Sequence, residues 1–156
     1  MSGEAESAGQ VRSWDTNTMP WEIRHIDELD GDLAAKQLIE DPDTGMSVMK
    51  MKYFAGFTNE WHTHNCAHGM YVLDGILKTH AGSFGPGSFV WFPEGSEMEH
   101  GATQDNDVTF LFIANKPVDI HYTQAGPAGQ VEPAGSRLGV VDPPLPSRRF
   151  AVAGLP

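Results

Sequence analysis

His62, His64, His68 and His100 are the residues whose type and spacing could do chemistry. The first three fall in the run WHTHNCAHGMYVLDG and the fourth in PEGSEMEHGA. A neutral imidazole is the commonest side-chain ligand for borderline metals such as Zn²⁺ and Fe²⁺. His62 and His64 are two apart, so on one extended segment both rings leave the same face. His68 has the same parity but opens the next segment. A histidine pair on a strand is often a surface pair; the alternative is that these residues hold one divalent metal, zinc or iron first, with manganese or nickel also able to fill such a site. Glu60, Glu97 and Glu99 lie close to these histidines in sequence. Glu60 and Glu99 are the candidates for a general acid or base, and a solvated carboxylate is the plainer reading of each. Trp61 either caps a mouth or packs. Cys66, between two of the histidines, reads as a quiet small residue. His25, His80 and His121 have no comparable spacing and read as solvated or satisfied histidines.

The elements that must position these side chains read as strands. VMKMKYF (48–54) alternates roughly, and DPDTG (41–45) before it predicts a hairpin with 34–40. That partner, AAKQLIE, has helical propensity too. GMYVL (69–73) and ILKTH (76–80) flank Asp74-Gly75, which predicts a second hairpin. GSFGPG (82–87) reads as a loop. Strands are expected over 88–92, 98–103, 108–114 and 118–123. Many short strands between Gly, Pro and Asp turns predict an all-β sandwich or barrel. Parity suggests Met70, Val72, Phe89, Trp91, Phe110 and Phe112 as an apolar pocket lining, although Val90 and Phe92 form the other face of their strand.

Composition bounds the remaining questions. The 156 residues suit one core, expected over 20–125. Residues 1–19 hold few apolar side chains and read as a flexible arm. Residues 126–156 carry 11 Gly or Pro and one aromatic, Phe150, so they read as a Gly/Pro-rich tail. A net charge of −11 repels phosphate backbones and argues against nucleic acid as a partner. No apolar run reaches the roughly 20 residues of a membrane helix, and the start lacks a signal-peptide pattern. A single cysteine leaves no intrachain disulfide. These features predict a cytoplasmic protein without a membrane partner.

The glycines sharpen the expectation. Gly56 is followed by five residues and His62-Thr63-His64; His68 comes after three more, and Gly75 after another six. Gly87, Pro93 and Gly95 then precede His100. This resembles the two motifs of the cupin superfamily, G-x5-H-x-H-x3,4-E-x6-G and G-x5-P-x-G-x2-H-x3-N. His68 stands at the usual Glu. Met98 stands at the usual second-motif His, with His100 two residues later on the same strand face. The terminal Asn is missing. The resemblance implies a double-stranded β-helix, or jelly-roll, barrel whose metal is held by His62, His64, His68 and His100. It also implies a homodimer joined through edge strands.

Within that superfamily, the histidine pattern is similar to the four-histidine polyketide cyclase type of the resistomycin pathway. That resemblance implies a small apolar or aromatic substrate and Lewis-acid chemistry on an enolisable ketone or polyketide. Four neutral imidazoles leave a divalent metal at about +2, against about +1 when one ligand is a carboxylate. A second reading is a non-haem iron dioxygenase cleaving a β-diketone or hydroxyaryl ketone, held by three histidines with His68 in the pocket. A third is a metal- or ligand-sensing cupin without turnover.

Overall fold

The computed structural model describes residues 9–123. The expected tail over 126–156 and the first residues of the expected arm lie outside that range. Eleven strands and one 3-10 turn follow in order. They are β1 (Glu22–Ile26), the turn Asp27–Leu29, β2 (Gly31–Glu40), β3 (Ser47–Tyr53), β4 (Thr58–Thr63), β5 (His68–Asp74), β6 (Leu77–Thr79), β7 (Gly82–Phe84), β8 (Phe89–Phe92), β9 (Met98–Gly101), β10 (Val108–Ala114) and β11 (His121–Tyr122). They build two antiparallel sheets, ordered β1-β2-β3-β10-β5-β8 and β11-β4-β9-β6-β7. This is the jelly-roll architecture expected from the sequence. No described helix is long and apolar enough to cross a membrane.

The first predicted hairpin forms. β2 pairs with β3 in antiparallel register, Ala35 opposite Met51 and Lys36 opposite Lys50. The DPDTG turn closes it: Gly45 N–H donates to Asp41 O at 2.7 Å, and Asp43 N–H to the Asp41 side chain at 2.9 Å. Extended pairing therefore overrides the helical propensity of 34–40.

The second predicted hairpin does not form. β5 and β6 belong to different sheets, so Asp74-Gly75 is a corner between layers. Gly75 has φ 79°, and a Cβ there would stand 2.1 Å from Asp107 O. The dipeptide demands a sharp turn, as read, but long-range pairing decides what the turn connects. The end of β5 bonds instead to the segment before β8, through Val72 N–H to Ser88 O and Gly87 N–H to Val72 O, both 2.9 Å. The segment expected as loop 82–87 begins with strand β7, paired to β6.

The core lies between the sheets. Met70, Val72, Leu77, Met98, Val108 and Phe110 are fully buried there. On the outer face of the larger sheet, Lys36, Lys50 and Lys52 lie side by side under the chain that precedes β1. Trp21 covers the Lys36 and Lys52 ammonium groups at 4.4 and 4.8 Å, and Lys36 Nζ donates to Thr16 O at 2.6 Å.

Candidate metal centre

All four motif histidines are inside. His62 and His68 are 0% exposed, His100 is 1% and His64 is 4%. Four different places in the fold deliver them: the end of β4, the residue just after it, the first residue of β5, and the middle of β9. Ring centroids are 4.8 Å apart for His62–His64, 4.9 Å for His62–His100, 4.9 Å for His64–His68 and 6.2 Å for His68–His100. Imidazoles that share one metal at about 2.1 Å have ring centroids about 4.5–6.5 Å apart, depending on the ligand angle. The four spacings fall within that range. Among the described residues, no group of three or more His, Cys, Asp or Glu side chains is already placed to hold a metal ion.

A bulge in β4 makes this convergence. Asn59 faces His100 across the ladder, whereas His62 faces Met98, so β4 spends one more residue than β9 between the two pairs. The extra residue reverses the alternation and turns Asn59, His62 and His64 all inward. Met98, at the usual histidine position of the second motif, is fully buried beside His100 on the same face. The motif glycines Gly56, Gly75, Gly87 and Gly95 all have φ between 75° and 87°, a left-handed conformation that suits glycine.

Three histidines are anchored through Nδ1. His62 Nδ1–H donates to the Glu60 carbonyl at 2.5 Å, and His64 Nδ1–H donates to the Asp119 carbonyl. His100 Nδ1 is hydrogen-bonded to the Tyr53 hydroxyl at 3.2 Å. In His62 and His100 the other nitrogen, Nε2, is buried with no partner. Nδ1 engaged and Nε2 bare is the arrangement of a metal-ligating imidazole. An orphaned buried nitrogen otherwise costs about 1–3 kcal/mol. His68 is held differently. Both of its nitrogens lack a partner, and its ring is stacked between Phe92 and Phe112 at 4.9 and 4.7 Å. Phe92 is its direct cross-strand neighbour in β8, while its neighbour in β10 is the small Ala114, which leaves room for Phe112 to lean over.

Burial keeps these rings uncharged. It lowers His62 to about 4 and His68 to about 3, and it holds His100 well below the usual histidine value and His64 below it too. Neutral imidazole is the ligating form, so the donor set fits a divalent metal.

A cavity of about 340 Å³ opens onto His64 and His100. Its walls are largely apolar, with Leu33, Met49, Met51 and Phe112 prominent among them, while Tyr122 and Glu28 add polar groups. Of the residues expected to line a pocket, only Phe112 does. Met70, Val72 and Phe110 are buried in the core beneath. Phe89 and Trp91 are corrected by the structure: they point outward, 56% and 53% exposed, and Phe92 is the aromatic of β8 that turns in. The reason is register, since His68 sits opposite Phe92 and the two must share a face.

Glu60 and Glu99 do not line the cavity. Glu60 is exposed, and its carbonyl rather than its carboxylate serves the site. Glu99 alternates with the buried Met98 and His100 and so sits on the opposite face of β9. The remaining histidines have partners away from the buried cluster. His25 Nδ1 pairs with Asp32 at 2.7 Å, His121 Nε2 with Asp119 at 3.1 Å, and His80 packs against Trp61. Cys66 is a buried free thiol, raised by burial. Tyr53, Asn59, Tyr122 and Arg24 complete the site or its walls and carry no motif signal. Arg24, half-buried on β1, brings a cation to the cavity wall that neither motif contains.

Comparison with known proteins agrees with this fold. Residues 10–119 match the family model described as the ChrR cupin-like domain. No match is found among curated proteins. Among solved structures, the polyketide cyclase RemF from Streptomyces resistomycificus is 16% identical, with a TM-score of 0.59 over 74% of this chain and 87% of that one. A candidate acetylacetone dioxygenase from Methylibium petroleiphilum is 11% identical, with a TM-score of 0.59 over 74% and 90%. A chain in the complex of Rhodobacter sphaeroides SigE with the anti-sigma ChrR is 17% identical, with a TM-score of 0.52 over 64% of this chain and 51% of that one. This chain thus spans about half of the chain it matches in that complex.

Proposed function

The chain belongs to the ChrR cupin-like domain family of the cupin superfamily, and from that premise we propose that it is a metal-dependent enzyme acting on an enolisable ketone or polyketide. The observation that carries the reading is a cluster of four buried neutral imidazoles, two of them, His62 and His100, with Nδ1 anchored and Nε2 bare, and with His64 and His100 lining an apolar cavity. His62, His64, His68 and His100 would hold one zinc or ferrous ion. Such an ion supplies a Lewis acid for a carbonyl oxygen. The chain's own residues do the rest. Leu33, Met49, Met51 and Phe112 receive an apolar or aromatic body and exclude water. Glu28 is the carboxylate that lines the cavity, so the proton leaving the activated carbon goes to its side-chain oxygen. Tyr122, raised by burial and by Glu28 to about 12, stays protonated, and with its hydrogen given to Asn59 it offers a substrate only an acceptor oxygen.

The test is proton exchange. An aryl β-diketone is incubated with anaerobically purified protein of known metal content in D₂O, and α-carbon deuteration is followed by NMR. Exchange well above that of His62→Ala/His64→Ala supports the reading. Exchange equal to that variant rejects it.

The unpartnered nitrogens of His68 favour a second reading. If His68 is a pocket wall, His62, His64 and His100 remain as the three-histidine site of a ferrous dioxygenase acting on a β-diketone or hydroxyaryl ketone. Dioxygen uptake with the same diketone, dependent on iron, selects this reading over the cyclase. A sensing module would bind the diketone without exchange or uptake.

A further inference from the structure

His62 and His64 are anchored by main-chain carbonyls, which no side-chain substitution removes. His100 has a different kind of anchor. Its Nδ1 is bonded to the hydroxyl of Tyr53, a fully buried side chain on β3 whose ring is stacked on the imidazole with centroids 5.8 Å apart. Tyr53 is itself held. Its hydroxyl interacts with the side chain of Asn59, which accepts the Tyr122 hydroxyl at 2.8 Å. Phe57 and Phe110 pack on the Tyr53 ring, each at 4.8 Å. A phenol, an amide and a second phenol thus follow one another along the cavity wall to His100. The β4 bulge puts Asn59 into that line, directly opposite His100 in the ladder.

We propose that Tyr53 is the positioning residue for His100, and that Asn59 and Tyr122 fix Tyr53 in turn. The inference rests on the metal reading above. With His100 Nε2 on a metal, Nδ1 carries the hydrogen and donates to the Tyr53 oxygen. The phenol then sets the ring's rotation and raises its basicity as a ligand. The order of importance follows from distance along the line: Tyr53 first, Asn59 second, Tyr122 third.

Tyr53→Phe is the decisive variant, since it removes one oxygen and keeps the ring. Zinc affinity is measured on metal-stripped protein by competition with a chromophoric chelator. The electronic spectrum of the cobalt-loaded protein and the melting temperature of the stripped protein are recorded alongside. Tyr53→Phe is expected to weaken zinc about ten- to hundredfold and to shift the cobalt ligand-field bands. The metal-stripped variant should melt close to the wild type. Asn59→Leu should weaken zinc less, and Tyr122→Phe least. Zinc affinity of Tyr53→Phe within twofold of wild type, with an unchanged cobalt spectrum, overturns the role of Tyr53 and leaves the metal site standing. A wild type that binds no zinc or cobalt overturns both. A parallel fall in zinc affinity and in the melting temperature of the stripped protein, with unchanged cobalt bands, assigns Tyr53 to the core alone and also overturns the proposal.

Discussion

His100 and His68 are both fully buried and both face the same centre, but they are held by different forces. His100 is tied through a ring nitrogen by a directional bond, so its angle is fixed and one nitrogen is left bare. His68 is clamped through its two faces by Phe92 and Phe112, so its plane is fixed while both nitrogens are left without partners. Stacking on both faces resists rotation about Cβ–Cγ but gives neither nitrogen a partner; a hydrogen bond to Nδ1 also fixes which nitrogen is left bare. One buried imidazole is therefore aimed and the other is only shelved. Whether the site counts four ligands or three turns on that difference.

The comparison can be broken at the aimed histidines first. His62→Ala/His64→Ala should abolish metal binding while the β core, built from Met70, Val72, Phe110 and their neighbours, keeps the protein folded. Metal analysis and circular dichroism check both halves, and full metal occupancy in the double variant sinks the site. Next comes the shelved histidine. As a ligand, His68→Ala should cost at least about tenfold in zinc affinity, comparable to losing an outer-shell partner or more. His68→Glu should keep the metal but slow α-proton exchange, because a carboxylate lowers the site's charge by one. Unchanged affinity in His68→Ala moves the site to three histidines.

Acid sharpens the comparison further. In metal-stripped protein, burial holds His62 at about 4 and His68 at about 3, against an ordinary value of 6.5. As pH falls below about 6.5 the unfolded chain takes up protons that the folded chain refuses, so stability is full above that pH and is lost on acidification. The stripped protein should melt several degrees lower at pH 5 than at pH 7. A flat profile across that window would show that the rings are hydrated. The smallest effect is expected on the outer face: Trp91→Ser, half-exposed and across the sheet from the site, should change stability by no more than about 0.5 kcal/mol and leave zinc affinity alone.

Much of this was readable in the residues. Side-chain parity put His62 and His64 on one face, and the family resemblance of the histidine and glycine motifs supplied the barrel and the meeting of all four histidines. Parity failed where register decides. Phe89 and Trp91 could not be told from Val90 and Phe92 until β8 was paired with β5, which sets Phe92 opposite His68. It failed again at Asn59, three residues before His62, because a bulge reverses the alternation and nothing in TNEWHT marks the bulge. Glu60 was singled out for its carboxylate, but the site uses its carbonyl, a group every residue has. Arg24, Tyr53 and Tyr122 reach the site from strands distant in sequence, and only tertiary structure brings them there.

One consequence lies in the order of assembly. β10 is the next-to-last strand of the described chain, yet it sits between β3 and β5 in the larger sheet. Neither half of that sheet can join the other until residues 108–114 have been made and inserted. Phe112, which closes the clamp on His68, arrives with the same strand. A growing chain can therefore present His62, His64, His68 and His100 to the solvent well before it can shape their site. Such long-range pairing is slow to form, and metal capture in the native arrangement must wait for that central strand.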